Sequence, residues 1–123
     1  MQRSIQHDTN SAAIYATAED YVNRHSSVAN FYADAYREIL LQVWDVDDET
    51  REEIEEHLEQ PPSRMELVDF EKRMDYIRCC IDVQFTENLK PENIWYFRNQ
   101  WNLIEFVVEQ EEKYQLITFQ TSD

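Results

Sequence analysis

The chain has no glycine among its 123 residues, although an average usage of about 7% would supply roughly nine. Glycine enters backbone conformations with positive φ and lets a backbone approach a phosphate closely. Its absence excludes the Walker loop and the G-x-G-x-x-G dinucleotide turn, the EF-hand calcium loop and the G-x-S-x-G nucleophile elbow. We therefore expect a binding protein with no cofactor and no catalytic residues, and not an enzyme.

Cysteine is scarce, and long apolar runs are absent. The two cysteines, Cys79 and Cys80, are adjacent, and neighbouring residues of a helix point about 100° apart, so they form neither a disulfide framework nor a chelate. We expect Cys80 to flank the core and Cys79 to face outward. No apolar run approaches the roughly 20 residues of a membrane span, and the first residues lack the apolar region of a signal peptide. These features predict a cytoplasmic protein.

Histidine is also too sparse to predict a metal centre. A di-iron bundle needs Glu-x-x-His on two helices, but Val22 and Ile54 stand three residues before His25 and His57. Glu53 and His57 have the i, i+4 spacing of a weak metal edge, and a solvent-facing His57 is the favoured interpretation. We expect no metal, and a small enzyme with a carboxylate-bound metal is the least favoured alternative.

Negative charge is the feature that the chain has in excess. Its 26 acidic and 11 basic residues give a formal net charge of −15, and residues 45–66 alone carry ten acids and two bases. Nucleic acids and anionic membranes need a basic footprint, so direct binding to either is disfavoured. The charge favours a basic protein partner.

The acidic block beginning at Asp45 has a spacing that suggests mimicry of DNA. Carboxylates one helical turn apart rise about 6 Å along a helix, and two phosphate steps along one DNA strand rise about 6.8 Å. One hypothesis is therefore an inhibitor of a nucleic-acid enzyme or nuclease, of the phage anti-defence or immunity type. The alternatives are a solvated face that maintains solubility and adaptation to high salt. The candidate partner-binding acids are Asp47, Asp48, Glu49, Glu52, Glu53, Glu55, Glu56 and Glu59.

Helical spacing of apolar residues predicts an all-α fold. The clearest stripe follows the second of five segments, Pro61-Pro62 ends the third, and Ser63 with Glu66 forms a capping box for the fourth. We predict a bundle of four to five helices in a single domain spanning residues 1–123. The helical segments are about 11–25, 28–44, 47–60, 63–85 and 91–109.

The last predicted helix is rich in aromatic residues and leaves two alternatives open. Trp and Tyr near an arginine are typical of interface hot spots, so the second functional hypothesis is an assembly subunit that docks or forms a homo-oligomer through this helix. A central buried helix explains the same pattern. The structural alternative is a C-terminal β-hairpin within residues 103–120, with strands Leu103–Glu109 and Tyr114–Gln120. The candidate aromatic contacts are Trp95, Tyr96 and Trp101.

Overall fold

The structure is a computed structural model that describes residues 2–8, 13–43, 48–59, 61–80, 91–100 and 103–121. These residues form six strands and three α-helices, and a short 3₁₀ turn at Val22–Arg24 precedes the first helix. In chain order the elements are β1 (Gln2–Asp8), β2 (Ala13–Tyr21), α1 (Val28–Val43), α2 (Asp48–Leu58), β3 (Ser63–Arg64), α3 (Leu67–Cys80), β4 (Asn93–Asn99), β5 (Leu103–Gln110) and β6 (Lys113–Thr121).

The strands form one antiparallel sheet in the order β1-β2-β6-β5-β4-β3. Consecutive strands pair as hairpins at both ends of the chain, while β2 and β6 join the two ends in a register from Ala13↔Thr121 to Tyr21↔Lys113. This long-range pairing places β6 and β5 near the middle of the sheet. The central strands therefore have a neighbour on each side.

Helices cover both faces of this sheet and create two apolar cores. The first core lies between the sheet and the helices α1 and α2, with Tyr32 and Leu58 among its buried residues. The second core lies on the opposite face under α3, with Met74 and Phe106 among its buried residues. Successive residues of a strand point to opposite faces, so β5 contributes Val107 to the first core and Phe106 to the second.

The three helices lie within the second, third and fourth predicted helical segments. Helix α1 begins after Ser27, whose hydroxyl accepts a hydrogen bond from the backbone N–H of Asn30 at 3.0 Å. Helix α3 begins at Leu67 and not at Ser63, because Ser63 pairs with Tyr96 as part of β3. The predicted capping box is therefore wrong.

Among the described residues, no helix has the length and apolarity needed to cross a bilayer.

The predicted all-α bundle is wrong, because the first and last predicted helices are strands. Residues 11–25 contain β2, and residues 91–109 contain β4 and β5. A sheet covered on both faces has strands that are apolar on both faces, so apolar residues at helical spacing can be found in them without any helix. The hairpin alternative is confirmed, since β5 and β6 pair from Leu103↔Gln120 to Gln110↔Lys113.

The turn between β5 and β6 shows how a chain without glycine makes a tight hairpin. Glu111 and Glu112 form a two-residue connection, and their φ angles are 53° and 62°. Such turns require positive φ at both central residues, which favours Asn-Gly, and the left-handed region costs an ordinary residue about 1–2 kcal/mol. The protein thus holds two glutamates in a strained backbone conformation.

Replacing this turn by Glu111→Asn with Glu112→Gly should stabilise the protein. We expect the free energy of unfolding to rise by about 1–3 kcal/mol, because asparagine and glycine adopt the left-handed conformation at a lower energetic cost than glutamate. Urea denaturation followed by circular dichroism measures the change. The control Glu111→Gln with Glu112→Gln removes the same two charges and keeps the strain, so an equal gain in that variant would contradict the backbone explanation.

Candidate functional site

Helix α2 presents four of the predicted acidic residues on one side, and its other side packs against the protein. Ile54, His57 and Leu58 pack toward the first core. The exposed carboxylates follow an i, i+3, i+4, i+7 spacing, which places them on one helical stripe. We call this set the acidic stripe, and it consists of Glu49, Glu52, Glu53 and Glu56.

The remaining predicted acids have different surroundings. Asp48 is exposed in the first turn of α2, and Glu59 is exposed just after its end. Glu55 is half-exposed and accepts hydrogen bonds from two nitrogens of Arg37 of α1. Nη2 donates to Oε2 at 2.8 Å, and Nε donates to Oε1 at 3.0 Å and to Oε2 at 3.2 Å. This hydrogen-bonded pair lowers the pKa of Glu55 and links α2 to α1. Asp47 lies outside the described residues.

The predicted aromatic surface is not a helical face. Trp95 and Tyr96 are consecutive in β4, so Trp95 packs against the first core and Tyr96 against the second. The Trp95 ring contacts Tyr114 at a centroid distance of 6.2 Å, and the guanidinium of Arg64 lies 5.0 Å from its centroid. Trp101 lies outside the described residues. Trp95 and Tyr96 therefore lie on opposite faces of the sheet and do not share one docking surface.

A buried polar cluster, which the sequence interpretation missed, lies where both helices of the first core meet the sheet. We call it the polar cluster, and its members come from four elements. Tyr32 donates a hydrogen bond to Glu105 Oε2 at 2.8 Å, and its hydroxyl lies 3.1 Å from Nε2 of His57. Arg98 Nε donates to the same Nε2 at 2.9 Å and lies 3.5 Å from Glu105 Oε1. The cluster thus connects α1, α2, β4 and β5.

A β-bulge in β4 positions the arginine of this cluster. The register with β5 shifts between Tyr96 and Arg98, and a bulge of this kind re-aims side chains relative to regular alternation. Phe97 stacks on Tyr32 at a centroid distance of 3.8 Å with the rings 9° from parallel. Phe97 and Arg98, although consecutive, therefore both contact groups in the first core.

The hydrogen bonds of the polar cluster assign the protonation of its histidine. An arginine side chain only donates hydrogen bonds, so Nε2 of His57 must accept from Arg98, which assigns the imidazole proton to Nδ1. A proton on Nε2 would place a donor against a donor and a cation at 2.9 Å. His57 is 9% exposed, so its predicted solvent-facing position is wrong. The neutral imidazole attaches α2 to the sheet.

Glu105 is the group whose charge is most costly to keep in this environment. It is 0% exposed, and its Oε1 has no hydrogen-bond partner among the described residues. Burial raises the pKa of Glu105 to about 7, although the hydrogen bond from Tyr32 and the charge of Arg98 act in the opposite direction. Burial and the nearby Glu105 raise the pKa of Tyr32, which stays a donor. The cluster can therefore gain or lose a proton near neutral pH.

The structure also bears on metal binding and on the predicted positions of the two cysteines. No group of three His, Cys, Asp or Glu side chains in the described part of the chain could hold a metal ion. Cys79 is exposed, and Cys80 is half-buried against the second core. The predicted orientations of the two cysteines are therefore confirmed.

One sequence signal could have indicated the polar cluster. Glu105 interrupts an otherwise apolar run, LIEFVV, in which residues on both sides are buried. A carboxylate in such a run marks a buried charge that needs partners from elsewhere in the fold. His57 and Arg98 are 41 residues apart, so their meeting could not be read from local spacing.

Comparison of the chain with family profiles, curated proteins and solved structures gave no match. The acidic stripe and the polar cluster are therefore the features of this chain that bear on its function.

Proposed function

We propose that this chain is a non-enzymatic binding protein that presents the acidic stripe of α2 to a basic protein. The observation that carries the proposal is the separation of the two sides of this helix. Its apolar side and His57 are held by the first core and the polar cluster, while Glu49, Glu52, Glu53 and Glu56 are exposed. Like charges at these spacings destabilise a helix, so their concentration on an anchored surface favours a role in binding.

The partner that best fits this stripe is a protein whose own ligand is nucleic acid. The outermost glutamates of the stripe are seven residues apart, which corresponds to about 10 Å along the helix and to about three phosphate steps. Such a surface can occupy a basic groove and compete with nucleic acid for it. We therefore propose the inhibitor form of this function, acting in a reducing cytoplasm where Cys79 and Cys80 stay free thiols.

Reversing three charges of the stripe should abolish partner binding without unfolding the chain. The variant Glu52→Lys with Glu53→Lys and Glu56→Lys changes exposed positions only, and it leaves the Glu55–Arg37 pair in place. We expect the affinity to fall by about 100-fold or more, because each reversal replaces attraction by repulsion. A pull-down from nuclease-treated lysate at low and high salt, followed by mass spectrometry, measures it.

The matched control reverses three exposed acids that lie away from α2. Glu71→Lys with Asp75→Lys and Glu92→Lys changes the net charge by the same amount. A basic nucleic-acid-binding protein should be retained by the wild type and the control, lost at high salt, and displaced by duplex DNA. If the stripe variant retains the same protein as strongly as the control, the acidic stripe is only a solvated surface.

A further inference from the structure

The two edges of the sheet differ in how they are protected against pairing with a further strand. At one edge, β3 is two residues long and directly follows Pro61-Pro62. At the other edge, β1 runs for seven residues from Gln2 to Asp8. Natural proteins protect exposed edges with very short strands, prolines, lysines or β-bulges. The β3 edge has the first two of these features, so β1 is the edge that is open to another strand.

Strand β1 has none of these protective features. It contains no proline and no lysine, and its pairing with β2 is regular through all seven residues, from Gln2↔Glu19 to Asp8↔Ala13. In the described part of the chain, β2 is its only neighbouring strand. Alternate residues of an edge strand direct their backbone N–H and C=O groups away from the sheet. The outer side of β1 therefore offers hydrogen-bonding groups to one more strand.

Ile5 adds an apolar contact at the middle of this edge. It is the central residue of β1 and is 39% exposed. A two-fold axis through Ile5 gives the antiparallel register that pairs all seven residues with the β1 of a second copy. In this register Ile5 lies directly opposite Ile5 of the other copy. Side chains in directly opposite positions contact each other, so this pairing covers an exposed apolar residue.

The charge of the chain also favours a second copy at this edge. Two copies that each carry a net charge of −15 repel each other, whereas β1 contains one arginine, Arg3, and one acid, Asp8. In the antiparallel register, the end of each strand that carries Arg3 lies beside the end of the other strand that carries Asp8. The acidic stripe is remote from this edge, because His57 attaches α2 to β4, the fourth strand from β1 in the sheet.

We propose that β1 is a dimerisation edge, at which two copies of this chain pair antiparallel through Gln2–Asp8 and join their six-stranded sheets into one. Backbone hydrogen bonds supply most of the affinity, as in other cases of β-strand addition. Ile5 and the opposite charges at the two ends of β1 select the register. Dimerisation is independent of the partner of α2, because the acidic stripe of each copy remains exposed.

Sedimentation velocity of the full chain across micromolar concentrations tests this proposal. We expect a reversible equilibrium between monomer and dimer, because an edge of this length buries a small interface. Ile5→Lys should weaken the dimer by about tenfold or more, because it places like charges directly opposite each other. Val68→Lys is the matched control, since Val68 is an apolar residue of α3 that is 57% exposed and gains the same charge.

Disulfide crosslinking tests the register separately, in a background of Cys79→Ser with Cys80→Ala. Ile5→Cys should form an intermolecular disulfide under mild oxidation, because the two Cα atoms beside the axis lie about 4.5–5.5 Å apart, within the range that a disulfide spans. Gln2→Cys is the control. In the proposed register the two copies of residue 2 lie about 20 Å apart, so we expect no disulfide between them.

Each result supports or overturns the proposed dimer. A dimer that is weakened by Ile5→Lys and not by Val68→Lys, and that is crosslinked through Ile5→Cys and not through Gln2→Cys, supports the edge and its register. A monomer at every concentration overturns the dimer. A dimer that Ile5→Lys leaves intact, an equal loss in Val68→Lys, or equal crosslinking through Gln2→Cys overturns its location. Circular dichroism of each variant confirms that it is folded.

Discussion

Replacing Glu105 with glutamine should make the protein more stable near pH 8 by up to about 3 kcal/mol and change its stability little near pH 5. Burial raises the pKa of this carboxyl from an ordinary value of 4.5 to about 7. The folded state holds the proton of Glu105 more tightly than the unfolded state, so protonation of this carboxyl stabilises the fold. This stabilisation is complete below the unfolded pKa. It is lost as the pH rises through the folded pKa. The wild type should therefore lose stability between about pH 4.5 and pH 7.

The glutamine variant removes this titration while it keeps a similar shape. Its amide oxygen can still accept the hydrogen bond from Tyr32, and Arg98, which is 29% exposed, retains His57 and solvent as partners. Urea denaturation of both proteins at several pH values gives the two stability profiles. Glu71→Gln removes an exposed carboxyl of α3 and should leave the slope of the wild type unchanged. A profile of Glu105→Gln as steep as the wild-type profile would contradict the assignment of the slope to Glu105.

Replacing Arg98 with methionine should destabilise the protein more near pH 8 than near pH 5. The substitution leaves Glu105 buried without its cation and leaves Nε2 of His57 without its donor. Breaking a buried pair on one side costs about 3–5 kcal/mol, and we expect a loss of this size near pH 8. Near pH 5 Glu105 is protonated, so the loss should shrink to about 1 kcal/mol, the size of a lost hydrogen bond.

A double-mutant cycle separates the charge of Glu105 from the other contacts of Arg98. In the double variant Arg98→Met with Glu105→Gln, no buried charge remains at this position, so most of the penalty seen near pH 8 should disappear. Arg78→Met removes a half-exposed arginine of α3 that pairs with Asp75, and it should change the stability by less than about 0.5 kcal/mol. If Arg98→Met lowers the free energy of unfolding equally at both pH values, the packing of Arg98 contributes more to stability than its charge.

The polar cluster also gives the proposed binding surface its position. His57 joins α2 to Arg98 and Tyr32 on one side of the helix, while the acidic stripe lies exposed on another. The pair between Glu55 and Arg37 adds a second attachment at the surface. A helix held in this way presents its carboxylates with fixed spacing, which a basic groove can recognise with a smaller loss of conformational entropy.

The sequence by itself determined the elements whose signals are local. The apolar stripe over residues 28–44 predicted α1, and the acidic segment 47–60 with Ile54 and Leu58 predicted α2. The absence of glycine excluded the phosphate-binding turns. The exposure of Glu49, Glu52, Glu53 and Glu56 also agrees with their spacing. These features depend on residues within one or two helical turns, so periodicity and composition are sufficient to find them.

Only the tertiary structure decided the sheet and the polar cluster. Residues 94–109 fit a helical period because strands covered on both faces are apolar at nearly every position, and their strand state depends on pairing with β6 and on cover from both helical layers. The cluster joins Tyr32 to Glu105 across 73 residues of chain. The pKa of Glu105 is near 7 because burial outweighs the hydrogen bond from Tyr32 and the charge of Arg98. These surroundings have no local signature in the sequence, because folding alone brings them together.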